Sequence, residues 1–248
     1  MIKDFIEGMT AYGTALNHVS KYNLWGYVLL PGLISLLLGL GVFGLAWSLG
    51  DNVGDFIDNV WKWNWGRAVV EKASDVIGGL LVLLAGLMIF KQLIMVVTAP
   101  LMSILSEKVE NQLRGNENGG TKLSLRQIIS DILRGLKIAV RNIIRELLLT
   151  VFLMVFGLIP LFSPFAAVLI FLLQAYYAGF GNIDFALERH FRFSESVRFV
   201  HRHRGLAIGN GVIFLLLLFT FAGFLLALPL GTVAATIETV KRLPKAAS

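Results

Sequence analysis

The chain has 248 residues, 56% of them hydrophobic and 15% charged, with a mean hydropathy of +0.74. A soluble domain carries about 45–50% apolar and about 25% charged residues, so the balance excludes an ordinary water-soluble domain and places much of the chain in lipid. With no cysteine, disulfide and thiol chemistry are excluded, and the net charge of +6 reads as basic loops facing anionic headgroups, not as a nucleic-acid surface.

The first thirteen residues, MIKDFIEGMTAYG, are mixed in charge with no apolar core directly behind them, so they do not read as a cleaved leader. Ile2, Phe5, Ile6, Met9 and Tyr12 or Gly13 share one side of a helix, which suits an interfacial position. Residues 22–50 carry no charge. A crossing helix takes about 20 apolar residues, so this run fits one crossing, with Asn23 and Trp25 where it enters the membrane and the indole at headgroup level. Residues 51–75 hold Asp51, Asp55, Asp58, Glu71 and Asp75 against Lys62, Arg67 and Lys72, and read as an acidic outer loop.

Residues 76–114 contain two uncharged runs separated by Lys91 and fit a second crossing as a single long helix whose end projects into water. Lys91 has two readings: a functional charge inside an apolar helix, or a stem that snorkels to a nearby interface. Residues 115–146 begin with GNENGG, a turn without the Lys-Ser/Thr of a phosphate loop. Ser124 and Gln127 follow as a capping box. Leu125, Ile128, Ile129, Ile132, Leu136, Ala139 and Ile143 then recur at helical spacing. On the other face, Arg134, Lys137, Arg141 and Arg145 form a basic stripe. The stripe either guides an anion, because the guanidinium fork matches oxyanions, or lies against lipid headgroups.

Residues 147–183 and 205–237 are each too long for one crossing and too short for two. Pro160 and Pro164 interrupt the first; Gly223, Pro229 and Gly231 interrupt the second. Both read as re-entrant hairpins. Their turns need cover from protein, hence packing on other helices or a homo-oligomer. Loop charge agrees. Residues 184–204 carry Arg189, Arg192, Arg198, Arg202 and Arg204, and residues 238–248 carry Lys241, Arg242 and Lys245. Two hairpins leave all these basic segments, and both termini, on the cytoplasmic side. Gly205 with Gly209, and Gly223, Ala227, Gly231 and Ala235, are small-residue faces suited to close helix packing.

His190, His201 and His203 have no thiol or paired carboxylate beside them, so no metal site is expected. No catalytic triad, zincin helix or dinucleotide fingerprint occurs, so neither an enzyme nor a cofactor is expected. The fold class is an all-α integral membrane protein: one domain over 1–248, with two long transmembrane helices, two re-entrant helical hairpins and amphipathic cytoplasmic helices.

Four patches occur in a set order: LWGYVLLP at 24–31, TAPLMSILSEKVE at 98–110, AYYAGFGNIDFALER at 175–189 with FSE at 193–195, and Pro229 with AAT at 234–236. In order and spacing they resemble the CysZ-type sulfate permease family, which shares its domain with the etoposide-induced membrane proteins. The resemblance implies two crossing helices, two hemi-penetrating hairpins, a homo-oligomer and sulfate uptake through a bacterial inner membrane. It also implies an anion site at Asn23, Leu24, Trp25 and Gly26, where helix N–H groups and the dipole favour negative charge. Trp25 and Gly26 stand where the family carries arginines. The sequence therefore allows two functions: a permease for sulfate or another small anion, or a non-transporting membrane scaffold or regulator on the same fold.

Overall fold

Every regular element among the described residues of the computed structural model, 1–60, 86–116, 125–157, 159–220 and 223–243, is a helix. In chain order these are α1 (Ile2–Lys21), α2 (Trp25–Val60), α3 (Gly86–Val97), α4 (Ala99–Leu113), α5 (Leu125–Gly157), α6 (Ser163–Leu187), α7 (Phe193–Arg202), α8 (Arg204–Leu218) and α9 (Gly223–Val240). Most of the outer loop at 61–75, the first part of the second crossing at 76–85, the Ser124 cap and Lys245 lie outside the described residues.

Trp25–Val42 and Ser163–Leu187 are long and apolar enough to cross a membrane, and α3 with α4 pass the same test as a bent pair. That pair corrects the single helix expected through 76–114: the axis turns by 66° between Val97 and Ala99. Thr98 Oγ1 donates back to Ile94 O at 2.6 Å, and Pro100 sits in the first turn of α4, where it supplies no N–H to the turn before it. The acidic segment also begins as helix. α2 runs on to Val60.

α5 is continuous from Leu125 to Gly157, so the amphipathic segment and the first arm of the first hairpin are one 33-residue helix. It is turned inside out relative to a soluble helix. Leu125, Ile129, Leu133, Leu136, Val140, Ile144 and Leu148 are exposed, whereas Asn142, Glu146 and Thr150 are buried. Such a face is stable only where the surroundings are apolar, so lipid rather than water covers it. The chain reverses between α5 and α6 at the segment bracketed by Pro160 and Pro164, with Phe162 and Ser163 N–H both donating to Ile159 O.

The second reversal lies earlier than Pro229. It falls between Leu218 and Gly223, where Thr220 Oγ1 donates to Leu217 O and accepts the Gly223 N–H. A Cβ on Gly223 would fall 1.4 Å from Leu217 O, so only glycine fits this turn. Pro229 is inside α9. The carbonyl its ring deprives of a donor, Leu225 O, lies against Gly32 of α2. The break is thus absorbed by close contact between two helices.

The interior is built on similarly close contacts. α6 and α8 cross where Gly179 faces Ala207 O and Gly211 faces Ala175 O. α1 lies on α8 and α9 with Gly8, Ala11, Tyr12, Ala15 and Val19 buried, and Gly209 of α8 faces Phe5 O. Ile2 and Ile6 point outward, 76% and 53% exposed. Polar ties finish the centre. Asn182 Nδ2 donates to Asn210 Oδ1, Asn210 Nδ2 donates to Gly231 O, and the Tyr12 hydroxyl donates to Asn210 O.

Candidate functional site: a cleft of unpaired arginines

Three helix faces meet around an open cleft of 570 Å³. α5 contributes Arg141, Arg145 and Leu149, spaced one turn apart so that all three share a ridge. α6 contributes Leu173, Tyr176 and Tyr177 at the same kind of spacing. α7 contributes Val197, Arg198, His201 and Arg202, and Arg204 opens α8 beside them. The lining holds five guanidinium groups and no carboxylate.

The other arginines show why this matters. Arg134 holds Asp184; Arg189 and Arg114 share Glu110; Arg242 pairs with Glu238 and Glu7. Among the described residues, Arg145, Arg198, Arg202 and Arg204 form no ion pair. Arg141 Nη1 donates to Asn142 Oδ1, and its guanidinium lies 5.2 Å from the centre of the Phe180 ring. Arginines that tie the helices together are neutralised, and those around the cleft are not. Low-dielectric walls focus such a field and concentrate anions at its mouth.

The predicted basic stripe therefore divides. Arg134 is drawn out of it by Asp184, and Lys137 stands 4.7 Å from the Phe193 ring centre. Arg141 and Arg145 enter the cleft. Of the two readings of Lys91, the structure favours a charge held inside the helices. It is wholly buried, ion-paired to Glu146 of α5, and its Nζ donates to Gln174 O at 3.2 Å. Snorkelling is excluded by that burial.

Asn23 and Leu24 lie in the turn between α1 and α2, and Trp25 and Gly26 open α2, all apart from the cleft lining. Asn23 has a left-handed backbone, φ 51°, which asparagine tolerates better than most residues. The N–H groups of Asn23 and Leu24 donate to Ser20 O and Val19 O and so close α1. Those of Trp25 and Gly26 remain as first-turn donors of α2. Leu24 is buried, Trp25 packs against the core, and Gly26 is exposed. Lys108 of α4 brings a cation to this end of α2, 4.7 Å from the Tyr27 ring centre.

Tyr176, Tyr177 and Glu146 carried no role in the sequence reading, and Arg198, Arg202 and Arg204 entered it only as loop charge. A signal existed for part of this. Arg198 and Arg202 are one turn apart on a short helix opened by Glu195, whose carboxylate accepts the Arg192 N–H. Glu146 is the last acid before the uncharged run of the first hairpin.

The family model described as "Sulfate transporter CysZ/Etoposide-induced protein 2.4" matches residues 11–232. Comparison with curated proteins gives no match.

Proposed function

The chain belongs to the sulfate transporter CysZ/etoposide-induced protein 2.4 family, and from that premise we propose that it is a permease for sulfate or another small inorganic anion. In this reading it acts as a homo-oligomer in a bacterial inner membrane, with both termini in the cytoplasm. The observation that carries the proposal is the cleft: five guanidinium groups converge on it without an acid. Arginine forks donate pairs of parallel N–H bonds to an oxyanion, and the hydroxyls of Tyr176 and Tyr177 add neutral donors beside them. Several partial sites suit transport better than one tight site, because the ion must leave as well as bind.

The start of α2 is the second anion contact in this reading. The Trp25 and Gly26 N–H groups and the helix dipole supply the field there. Lys108 supplies the full charge that the missing arginines do not. The inside-out α5 and the broken helices at the two reversals belong in lipid and against neighbouring subunits. Uptake of labelled sulfate into liposomes carrying the purified protein tests the proposal. Accumulation above protein-free liposomes is expected. A folded protein that gives none leaves the second reading, a scaffold or regulator, which Trp25 and Gly26 in place of arginines favour.

A further inference from the structure

The cleft is charged at one end and apolar at the other. The α5 ridge that carries Arg141, Arg145 and Leu149 continues through Phe152 and Phe156. The α6 row that carries Tyr176 and Leu173 continues through Leu169 and Phe165. The chain reverses between these helices, so both rows run from the cleft toward the segment of Pro160 and Pro164. Leu149, Phe152, Phe156, Leu169 and Phe165 are all exposed, and the rings of Phe152 and Phe156 lie 4.9 Å apart. An apolar surface of this extent calls for an apolar cover.

The two rows have the length of one leaflet. Arg145 to Phe156 and Phe165 to Tyr176 are each eleven residues apart, about 16 Å at about 1.5 Å per residue. A bilayer's hydrocarbon core is about 30 Å thick, so each row covers about half of it. At the charged end, Arg145, Arg198, Arg202 and Arg204 are exposed and form no ion pair among the described residues. A free oxyanion uses that end alone; a phosphate that carries acyl chains uses both. A second copy of this chain fits less well, since a two-fold contact through this face would set arginine against arginine.

We propose that the cleft seats an anionic phospholipid, with its phosphate among the arginine forks and its acyl chains along the exposed rows of α5 and α6. A lipid phosphate accepts paired N–H bonds from guanidinium groups as sulfate does. Tyr176 stands at the junction of the two ends, where aromatic rings settle at headgroup level and the hydroxyl adds a donor. The chains cover Leu149, Phe152 and Leu169. The inference shares the cleft with the permease reading but does not need transport. Where the chain does transport, a seated headgroup and the moving ion compete for the same guanidinium groups, and membrane composition then sets how much of the cleft is open.

Native mass spectrometry of the full chain tests the seat, with the protein released from micelles doped with phosphatidylglycerol or with phosphatidylcholine of identical chains. Wild type is expected to retain phosphatidylglycerol about tenfold better, because choline cancels the phosphate charge that the arginines attract. Glycerol 1-phosphate has the headgroup chemistry without chains, and at equal concentration it is expected to leave the lipid in place. Arg145→Ala with Arg202→Ala is expected to remove the preference, and Phe152→Gln with Leu169→Gln to lower retention of both lipids. Equal retention of the two lipids by wild type overturns the proposal. So does displacement by glycerol 1-phosphate, which assigns the cleft to a free oxyanion only; neither result depends on how a variant folds. A folded arginine variant that keeps the preference also overturns it, and if that variant falls to a smaller oligomer the face is an interface between copies. Sulfate uptake is a separate measurement: its absence overturns the permease reading and leaves the lipid seat standing.

Discussion

Arg134 holds both carboxylate oxygens of Asp184, with Nε 3.0 Å from Oδ2 and Nη2 2.9 Å from Oδ1. The same guanidinium donates to Ser196 Oγ and Phe191 O. One side chain thus ties α5 to α6, to the link that follows α6 and to α7, which carries two cleft arginines. Lysine keeps the charge but not the fork. Arg134→Lys is expected to cost about 1–3 kcal/mol, read as a lower midpoint of thermal unfolding in detergent. Uptake per folded molecule is expected to stay at the wild-type level, which separates Arg134 from the cleft arginines.

Glu188 caps the C-terminus of α6, and Oε1 of its carboxyl has no partner among the described residues. Burial pushes its pKa up to about 8, with Asp184 and Asp131 adding to the rise and Ser103 and Arg189 opposing it. In the unfolded chain the group titrates near about 4.3. Between these values the folded state holds a proton that the unfolded state has released. Its contribution to stability is therefore present at the acidic end and is lost as pH rises through the window. Glu188→Gln stays neutral throughout. Melting temperatures of variant and wild type are expected to be close near about pH 5 and to diverge toward about pH 8, with the variant the more stable.

The α6–α8 crossing leaves no room for a methyl group. A Cβ at Gly211 would lie 1.7 Å from Ala175 O, and one at Gly179 would lie 1.9 Å from Ala207 O. Both neighbours are backbone, so the helices must separate. Gly211→Ala is expected to destabilise by at least about 1–3 kcal/mol. Gly13 on α1 has nothing within 4 Å of the same added atom. Gly13→Ala is expected to stabilise by about 0.5–1 kcal/mol, since glycine in a helix interior costs that much. Thermal unfolding of the two variants side by side checks the contrast.

Asn210 is the hub of the central polar ties. Replacing it by Leu leaves the Asn182 amide and the Gly231 carbonyl buried without these partners. The expected loss is about 1–3 kcal/mol for each orphaned group. Tyr12→Phe removes one neutral bond to the Asn210 carbonyl and is expected to cost about 0.5–1.5 kcal/mol. Denaturation in a mild detergent series orders the two variants.

Lipid exposure was legible from charge-free runs because a bilayer tolerates few ionised groups, and Pro160 with Pro164 marked the first reversal for the same local reason that any proline pair breaks a helix. Pro229 misled because its cost is local while its surroundings are tertiary: Gly32, nearly two hundred residues away in the chain, leaves room for the freed carbonyl to pack. The division of the basic stripe was equally hidden. Arg134 and Arg145 look alike in sequence, and only the position of Asp184 on another helix separates a structural arginine from one left open. Lys91 was visible as an anomaly, but its partner lay 55 positions on, within a helix whose polar side faces inward.

Sulfate uptake by proteoliposomes carrying Arg145→Ala with Arg202→Ala, compared with wild type at equal amounts of folded protein, tests the role of the cleft most directly. Both residues lie on its wall without an ion pair among the described residues, so their loss removes field and donors without orphaning an acid. Uptake is expected to fall at least about tenfold, as removal of two charged hydrogen-bond donors implies. Uptake equal to that of the wild type would contradict the account.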